Sequence, residues 1–170
     1  AYPYRFEKGV WVMIETGLKG RVALITGANN PHGIGAAIAR ALAKEGVVVC
    51  LHYFNTHPAP ETEIGVPGEA FYHSQQAKSA EGVAQEIRSS GGTAVCIEAD
   101  LSDPQTPPQL LDFAESQLGT VDILVNNACY WESDTFLPAT ADTVAKQVET
   151  WTSRPQTFCP DVFDRLFAVD

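Results

Sequence analysis

Residues 21–26 read RVALIT, a short apolar run rich in β-formers that stops at Gly27, the pattern of a buried strand. From Gly33 the period changes. GIGAAIARALAKEG sets Ile34, Ile38 and Leu42 four apart on one helical face, alanines fill much of the rest, and Gly46 stands at the C-cap position. VVVCLHYF, residues 47–54, is again a nearly continuous apolar β run, which predicts a strand covered on both faces. Strand, glycine turn, helix and strand make a βαβ unit.

Residues 55–74 hold three prolines and two glycines without a clear period and are expected to form a loop. A helix is predicted over 76–90, with Val83 and Ile87 four apart and SSGG closing it. TAVCIEAD, 93–100, is a third strand. Ser102 is placed to cap a helix whose Leu110, Leu111, Ala114 and Leu118 line one side and which ends at Gly119. VDILVNNA, 121–128, is a fourth strand. Residues 129–159 are irregular, with a helical piece near 140–150, and Pro160 suits the first turn of a last helix carrying Phe163, Leu166 and Phe167. The alternation predicts an α/β fold, a Rossmann-type doubly wound parallel sheet with strand order 3-2-1-4. Ligands of such sheets bind beyond the carboxyl ends of the strands. Those ends carry Gly27, Phe54 with Asn55, Asp100, and Asn126 with Asn127, so four clusters should converge on one crevice.

Composition and charge narrow the partners. The 170 residues carry 11 Lys and Arg against 21 Asp and Glu, a net charge of −10. That balance speaks against nucleic acid or an anionic membrane surface as partner, though backbone N–H groups can still hold a small anion. Cys50, Cys96, Cys129 and Cys159 form no C-x-x-C and no zinc-ligand spacing, so no metal is expected and separate thiols in a reducing compartment are. No apolar run approaches the ~20 residues that span a bilayer, and the first residues lack a secretory core, so a cytoplasmic location is expected. Residues 1–17, which include the only methionine, Met13, are expected to be an N-terminal extension. Residues 18–170 are expected to be one dinucleotide-binding domain, cut short within the apolar segment FDRLFAVD.

The turn TGANNPHGIG, 26–35, departs from G-x-G-x-x-G, because five residues separate Gly27 from Gly33. Its setting, together with ADLSDP on the third strand and VDILVNNA on the fourth, resembles the short-chain dehydrogenase/reductase family, most of all the cofactor-binding half of its 3-oxoacyl reductases. The family pattern is T-G-x-x-x-G-x-G, and this turn has two extra residues. The resemblance runs from about Leu18 to Ala128 and implies hydride transfer between a nicotinamide cofactor and a small carbonyl or alcohol, by a protein that is a homo-oligomer when complete.

The resemblance also implies a cofactor site. Gly27 lets the chain leave the strand sharply, and Gly33, Ile34 and Gly35 bring a pyrophosphate to the helix N-terminus. Asn29, Asn30 and His32 are candidates for phosphate or ribose contact, or for stabilising the turn alone. Phe54 and Asn55 stand where an acid would select NAD; with no acid there, NADP is favoured and NAD remains possible. VCLHYFN is similar to NADP-using members with H-Y-x at this place, the pteridine reductases among them. Asp100 and Leu101 are implied at the adenine, and Asn127 and Ala128 beside the cofactor ribose. Cys129 replaces the glycine of the family's N-N-A-G.

The family's acid/base is a Tyr in Y-x-x-x-K, helped by a Ser. The one match here, Tyr4 to Lys8, precedes the first strand and lies in the wrong context, so the catalytic half is expected to be absent from this chain. A further family Asn maps weakly onto Asp170. The alternative is a non-catalytic nucleotide-binding or regulatory module.

Overall fold

A computed structural model describes residues 4–5, 11–12, 15–55, 66, 68–130, 134–135, 156–157, 161, 164 and 167–169. They fall into two compact units, one of residues 1–100 with 105–128, the other of 101–104 with 129–170. The first unit opens with β1 (Tyr4–Arg5) and β2 (Trp11–Val12), an antiparallel pair with no further partner among the described residues. It continues with β3 (Val22–Ile25), α1 (Ile34–Lys44), β4 (Val48–Tyr53), α2 (Glu69–Gln76), α3 (Glu81–Ser89), β5 (Ala94–Glu98), α4 (Thr106–Leu118) and β6 (Ile123–Val125). β5, β4, β3 and β6 lie side by side in that order, all parallel, which is the 3-2-1-4 order of a doubly wound sheet.

Alternation along the strands sorts the two faces. Ala23, Ile25, Val49 and Leu51 point to one side and form the main core with Ala36 and Ala39 of α1 and Val83, Ala84 and Ile87 of α3. Val22, Leu24, Cys50 and His52 alternate with them and are equally buried, on the sheet that α4 covers with Leu110 and Ala114. A strand buried on both faces needs the unbroken apolar run seen at 47–54. Each large side chain so buried contributes about 1.5–3 kcal/mol.

Three local expectations differ from the structure. The loop read over 55–74 contains most of α2, and the helix read over 76–90 begins later, as α3 at Glu81, because Gly68 and the turn at Lys78 set boundaries that the Pro-rich stretch obscures. The fully buried residues of α1 are Gly35, Ala36 and Ala39; of the apolar stripe Ile34, Ile38 and Leu42, Leu42 packs against the core while Ile34 is 73% exposed. Small residues win there because they let the helix lie close against the strands. The N-cap position of α4 is Gln105 and not Ser102, with no side-chain cap hydrogen bond from it, and Leu111 faces outward. In the second unit, β7 (Asp134–Thr135) pairs parallel with β8 (Gln156–Thr157), and Asp161, Asp164 and Phe167 are helical. The piece near 140–150, Met13, Lys8, His57, Cys159, Phe163, Leu166 and Asp170 lie outside the described residues. No helix among the described residues is long and apolar enough to cross a membrane.

Candidate cofactor site

The carboxyl ends of β3 and β6 are knitted together by one hydroxyl. Thr26 Oγ1 accepts from the N–H groups of Asn127 and Ala128, both at 3.0 Å, and donates to the Val125 carbonyl at 3.3 Å. In return Asn127 Nδ2 donates to the carbonyls of Thr26 and Gly27 at 2.9 Å each. The Asn127 side chain is therefore a bracket between the strands. Asn126, on the other side of the chain, is exposed.

The bracket explains two glycines. Gly27 has φ +67, and a Cβ there would sit 2.9 Å from Ala128 Cα. At Gly35 a Cβ would lie 2.6 Å from the Gly27 carbonyl oxygen and 2.7 Å from Asn127 Nδ2. Both positions thus serve the close approach of turn, helix and strand. Gly33 differs: it is half-buried, takes the N-cap of α1 with φ −84, and would meet only Asn30 at 3.2 Å. No side chain caps α1 and no acid stands in its first turn, so the partial positive charge of the helix end is left to an outside anion.

The two extra residues fold into a tight turn. The Gly33 N–H donates to the Asn30 carbonyl and the His32 N–H to Asn30 Oδ1, each at 2.9 Å. Arg40 fastens this turn from below, donating to the Pro31 carbonyl at 2.8 Å while its guanidinium grips both oxygens of Glu86 on α3. Asn29, 5% exposed, points the other way. Its Nδ2 donates to the carbonyls of Gln76 at 2.5 Å and Lys78 at 2.9 Å, and lies 3.4 Å from Asn55 Oδ1. The exposed His32 ring rests against Phe71 of α2, centroids 5.4 Å apart. The glycine turn is thus tied to α2 and the segment after it.

At the next corner Phe54 is 44% exposed, and the Asn55 N–H donates to Glu98 Oε1 at 3.3 Å. Burial, then the Glu98 carboxylate, raises the pKa of Tyr53 beside it. His52 lies beneath, fully buried; the Ala28 N–H donates to its carbonyl at 2.9 Å, its Nε2 is 2.9 Å from the Ala99 carbonyl, and its Nδ1 has no partner. Burial lowers its pKa, opposed by the Ala99 hydrogen bond. Burial pushes Cys50 up to about 12, and burial with the Glu81 carboxylate pushes Cys96 up to about 11. Asp100 is half-buried and lies two residues past the end of β5; Leu101 belongs to the second unit, and Asp170 lies outside the described residues. Within the first unit the structure therefore brings Gly27, Asn29, His32, Gly33, Ile34 and Gly35 to the end of β3, Phe54 and Asn55 to that of β4, and Asn127 and Ala128 to that of β6. It adds Thr26, Lys78 and Glu98, which sequence reasoning passed over. The T-G and N-N-A motifs hint at Thr26; nothing in the sequence signals that Lys78 returns to the end of β4. Among the described residues no cluster of His, Cys, Asp and Glu could hold a metal ion.

Comparison with known proteins agrees with this geometry. The chain is 39% identical over 111 residues to a versicolorin reductase of Emericella nidulans, covering 65% of this chain and 34% of that protein. It is 35% identical over 115 residues to an uncharacterised oxidoreductase of Methylorubrum extorquens, covering 68% and 38%. It therefore spans little more than a third of those relatives. Among solved structures, a 3-oxoacyl (acyl-carrier-protein) reductase of Agrobacterium tumefaciens with NADP bound aligns over 92% of this chain and 45% of its own, at 33% identity and a TM-score of 0.59. A blue fluorescent protein from a metagenomic library, in complex with NADPH, aligns over 89% and 46%, at 28% identity and a TM-score of 0.59. The family model described as short chain dehydrogenase matches residues 67–153, just over half of the sequence. With the sheet order, the uncapped helix behind the glycine turn and this match in agreement, the chain belongs to the short-chain dehydrogenase family.

Proposed function

We propose that the full-length protein is an NAD(P)-dependent oxidoreductase that moves hydride between nicotinamide and a small carbonyl or alcohol, preferring NADP and accepting NAD. The start of α1 carries this reading: a glycine N-cap, no capping side chain, no first-turn acid and an outward Ile34. These features fit a pyrophosphate, which would lie against Gly33 and the first helical N–H groups. Gly27 and Gly35 shape the turn from behind. Phe54 and Asn55 border the adenosine, Asp100 and Leu101 the adenine, and Asn127 and Ala128 the inner ribose, with NADP-bound and NADPH-bound relatives in support. The cofactor supplies the hydride; these residues hold and orient it. The Y-x-x-x-K match in this sequence, Tyr4 to Lys8, precedes β3, so we assign turnover to the full-length protein.

The test separates binding from folding. Ile34→Asp places an acid in the first turn of α1, where a carboxylate favours the helix but repels a phosphate. It should weaken NADPH binding at least about tenfold, read by nicotinamide fluorescence, with the unfolding midpoint unchanged. Unaltered binding by this variant would overturn the assignment of the site.

A further inference from the structure

In sequence, no Lys or Arg stands between Lys44 and Lys78, so the strand-end residues Phe54 and Asn55 have no cation near them. Folding returns the backbone of residues 76–78 to this corner. The Asn29 amide holds the carbonyls of Gln76 and Lys78 at 2.5 and 2.9 Å and lies 3.4 Å from Asn55 Oδ1. Ser79 and Glu98 both act on the Tyr53 phenol. Residues 76–79 are therefore pinned alongside the end of β4. Lys78 is exposed, and among the described residues its ammonium meets no carboxylate. Glu98, also exposed, occupies the Asn55 N–H at 3.3 Å and is the register partner of Tyr53.

We propose that cofactor choice is set at this corner by two opposed charges, Lys78 as the cation that receives a ribose 2′-phosphate and Glu98 as the carboxylate that opposes it. The inference rests on the cofactor reading above, which puts the adenosine ribose beyond the end of β4. A 2′-phosphate needs donors and positive charge. Lys78 offers three donors on a flexible stem. Glu98 acts in the other direction twice: its charge repels the phosphate, and its oxygen already holds the strand-end N–H that a phosphate oxygen would use. A 2′-hydroxyl, by contrast, can donate to Glu98. The two charges partly cancel, which leaves a modest preference for NADPH.

Dissociation constants of the full-length protein for NADPH and NADH test this, with Lys78→Gln and Glu98→Gln. Both sites are exposed, so both variants should fold. Lys78→Gln should weaken NADPH about tenfold and leave NADH within about twofold; Glu98→Gln should tighten NADPH several-fold and weaken NADH. The salt dependence of NADPH binding should be shallower in Lys78→Gln than in the wild type. If both cofactors bind and neither substitution alters their ratio, the assignment of Lys78 and Glu98 is overturned while the cofactor reading stands. If the wild type binds neither, the reading fails and the inference with it.

Discussion

Gly35→Ala should destabilise the fold although alanine is the better helix former. Position 35 is the second residue of α1, so propensity alone gives alanine an advantage of about 1 kcal/mol. A steric clash and the loss of hydrogen bonds outweigh that advantage. The added Cβ would sit 2.6 Å from the Gly27 carbonyl oxygen and 2.7 Å from Asn127 Nδ2, inside the range that carbon contacts occupy. The Gly27 oxygen is backbone held by the same Asn127 nitrogen, so neither neighbour can retreat without losing the bracket. Overpacking of this kind costs about 1–3 kcal/mol. The two Asn127 hydrogen bonds, each worth about 1 kcal/mol, would be lost or stretched. The net is about 2–4 kcal/mol of destabilisation, which at a urea slope of about 2 kcal/mol/M moves the midpoint down by about 1–2 M. Urea unfolding followed by circular dichroism reads it directly. Gly33→Ala is the control, since its Cβ meets only Asn30 at 3.2 Å and its backbone is extended; its shift should be small. In Asn127→Ala the bracket is already gone, so Gly35→Ala on that background should cost clearly less. A midpoint unchanged or raised by Gly35→Ala, or full additivity with Asn127→Ala, would refute the reasoning.

Three further outcomes follow from the buried titratable groups and the missing motif. His52 has a lowered pKa in the fold, so the unfolded chain, titrating near ~6.5, takes its proton first. Its contribution should be constant above that pH and be lost progressively below it, down to the folded pKa; His52→Leu should flatten the fall in urea midpoint between pH 8 and 5, and an unaltered slope would count against it. Cys50 and Cys96, with pKa values pushed up to about 12 and about 11, should resist iodoacetamide at pH 8 in the folded state while exposed Cys129 reacts, as peptide mass analysis would show. Rapid native labelling of Cys50 would contradict its burial. The 170-residue chain by itself should oxidise no NADPH against a panel of carbonyls, and any turnover would show that a catalytic pair other than the expected Ser and Tyr-Lys lies within it.

The sheet was legible because its strands obey a single strong rule. Val22–Ile25 and Val48–Tyr53 are buried on both faces, which leaves an apolar run with little else it can be. The glycine turn was legible in kind, since a strand, a sharp turn and a helix start constrain local residue types. Its division of labour was not. Whether Gly35 serves a phosphate or the packing of Asn127 depends on a strand about a hundred residues away. The stripe on α1 was legible only in part for a related reason: periodicity ranks side chains by apolarity, so it found Leu42, whereas the most deeply buried positions, Gly35, Ala36 and Ala39, were selected by size. α2 was hidden because its apolar content is low and Pro67 and Gly68 precede it, so its position depends on contacts such as that of Phe71 with His32.

Asn55 shows how the same gap alters an experiment. From the strand end alone, Asn55→Asp is the natural way to turn preference toward NADH, by placing an acid where many dinucleotide folds have one. In the structure the Asn55 amide shares the clamp made by Asn29. In the alternative orientation of that amide its nitrogen donates to the carbonyls of Gln76 and Lys78, at 3.2 Å each. A carboxylate at 55 would set an oxygen against those two carbonyls, loosening the segment that carries Lys78 as well as adding charge. A shift in cofactor preference in that variant would mix repulsion of the phosphate with displacement of its cation. Glu98 leaves the Asn29 amide alone, because it accepts from the Asn55 backbone N–H and not from the side chains of the clamp. Neutralising it lowers the charge at the corner and weakens the hold on the Asn55 N–H while Asn29 continues to hold residues 76–78 in place, and both changes favour the phosphate.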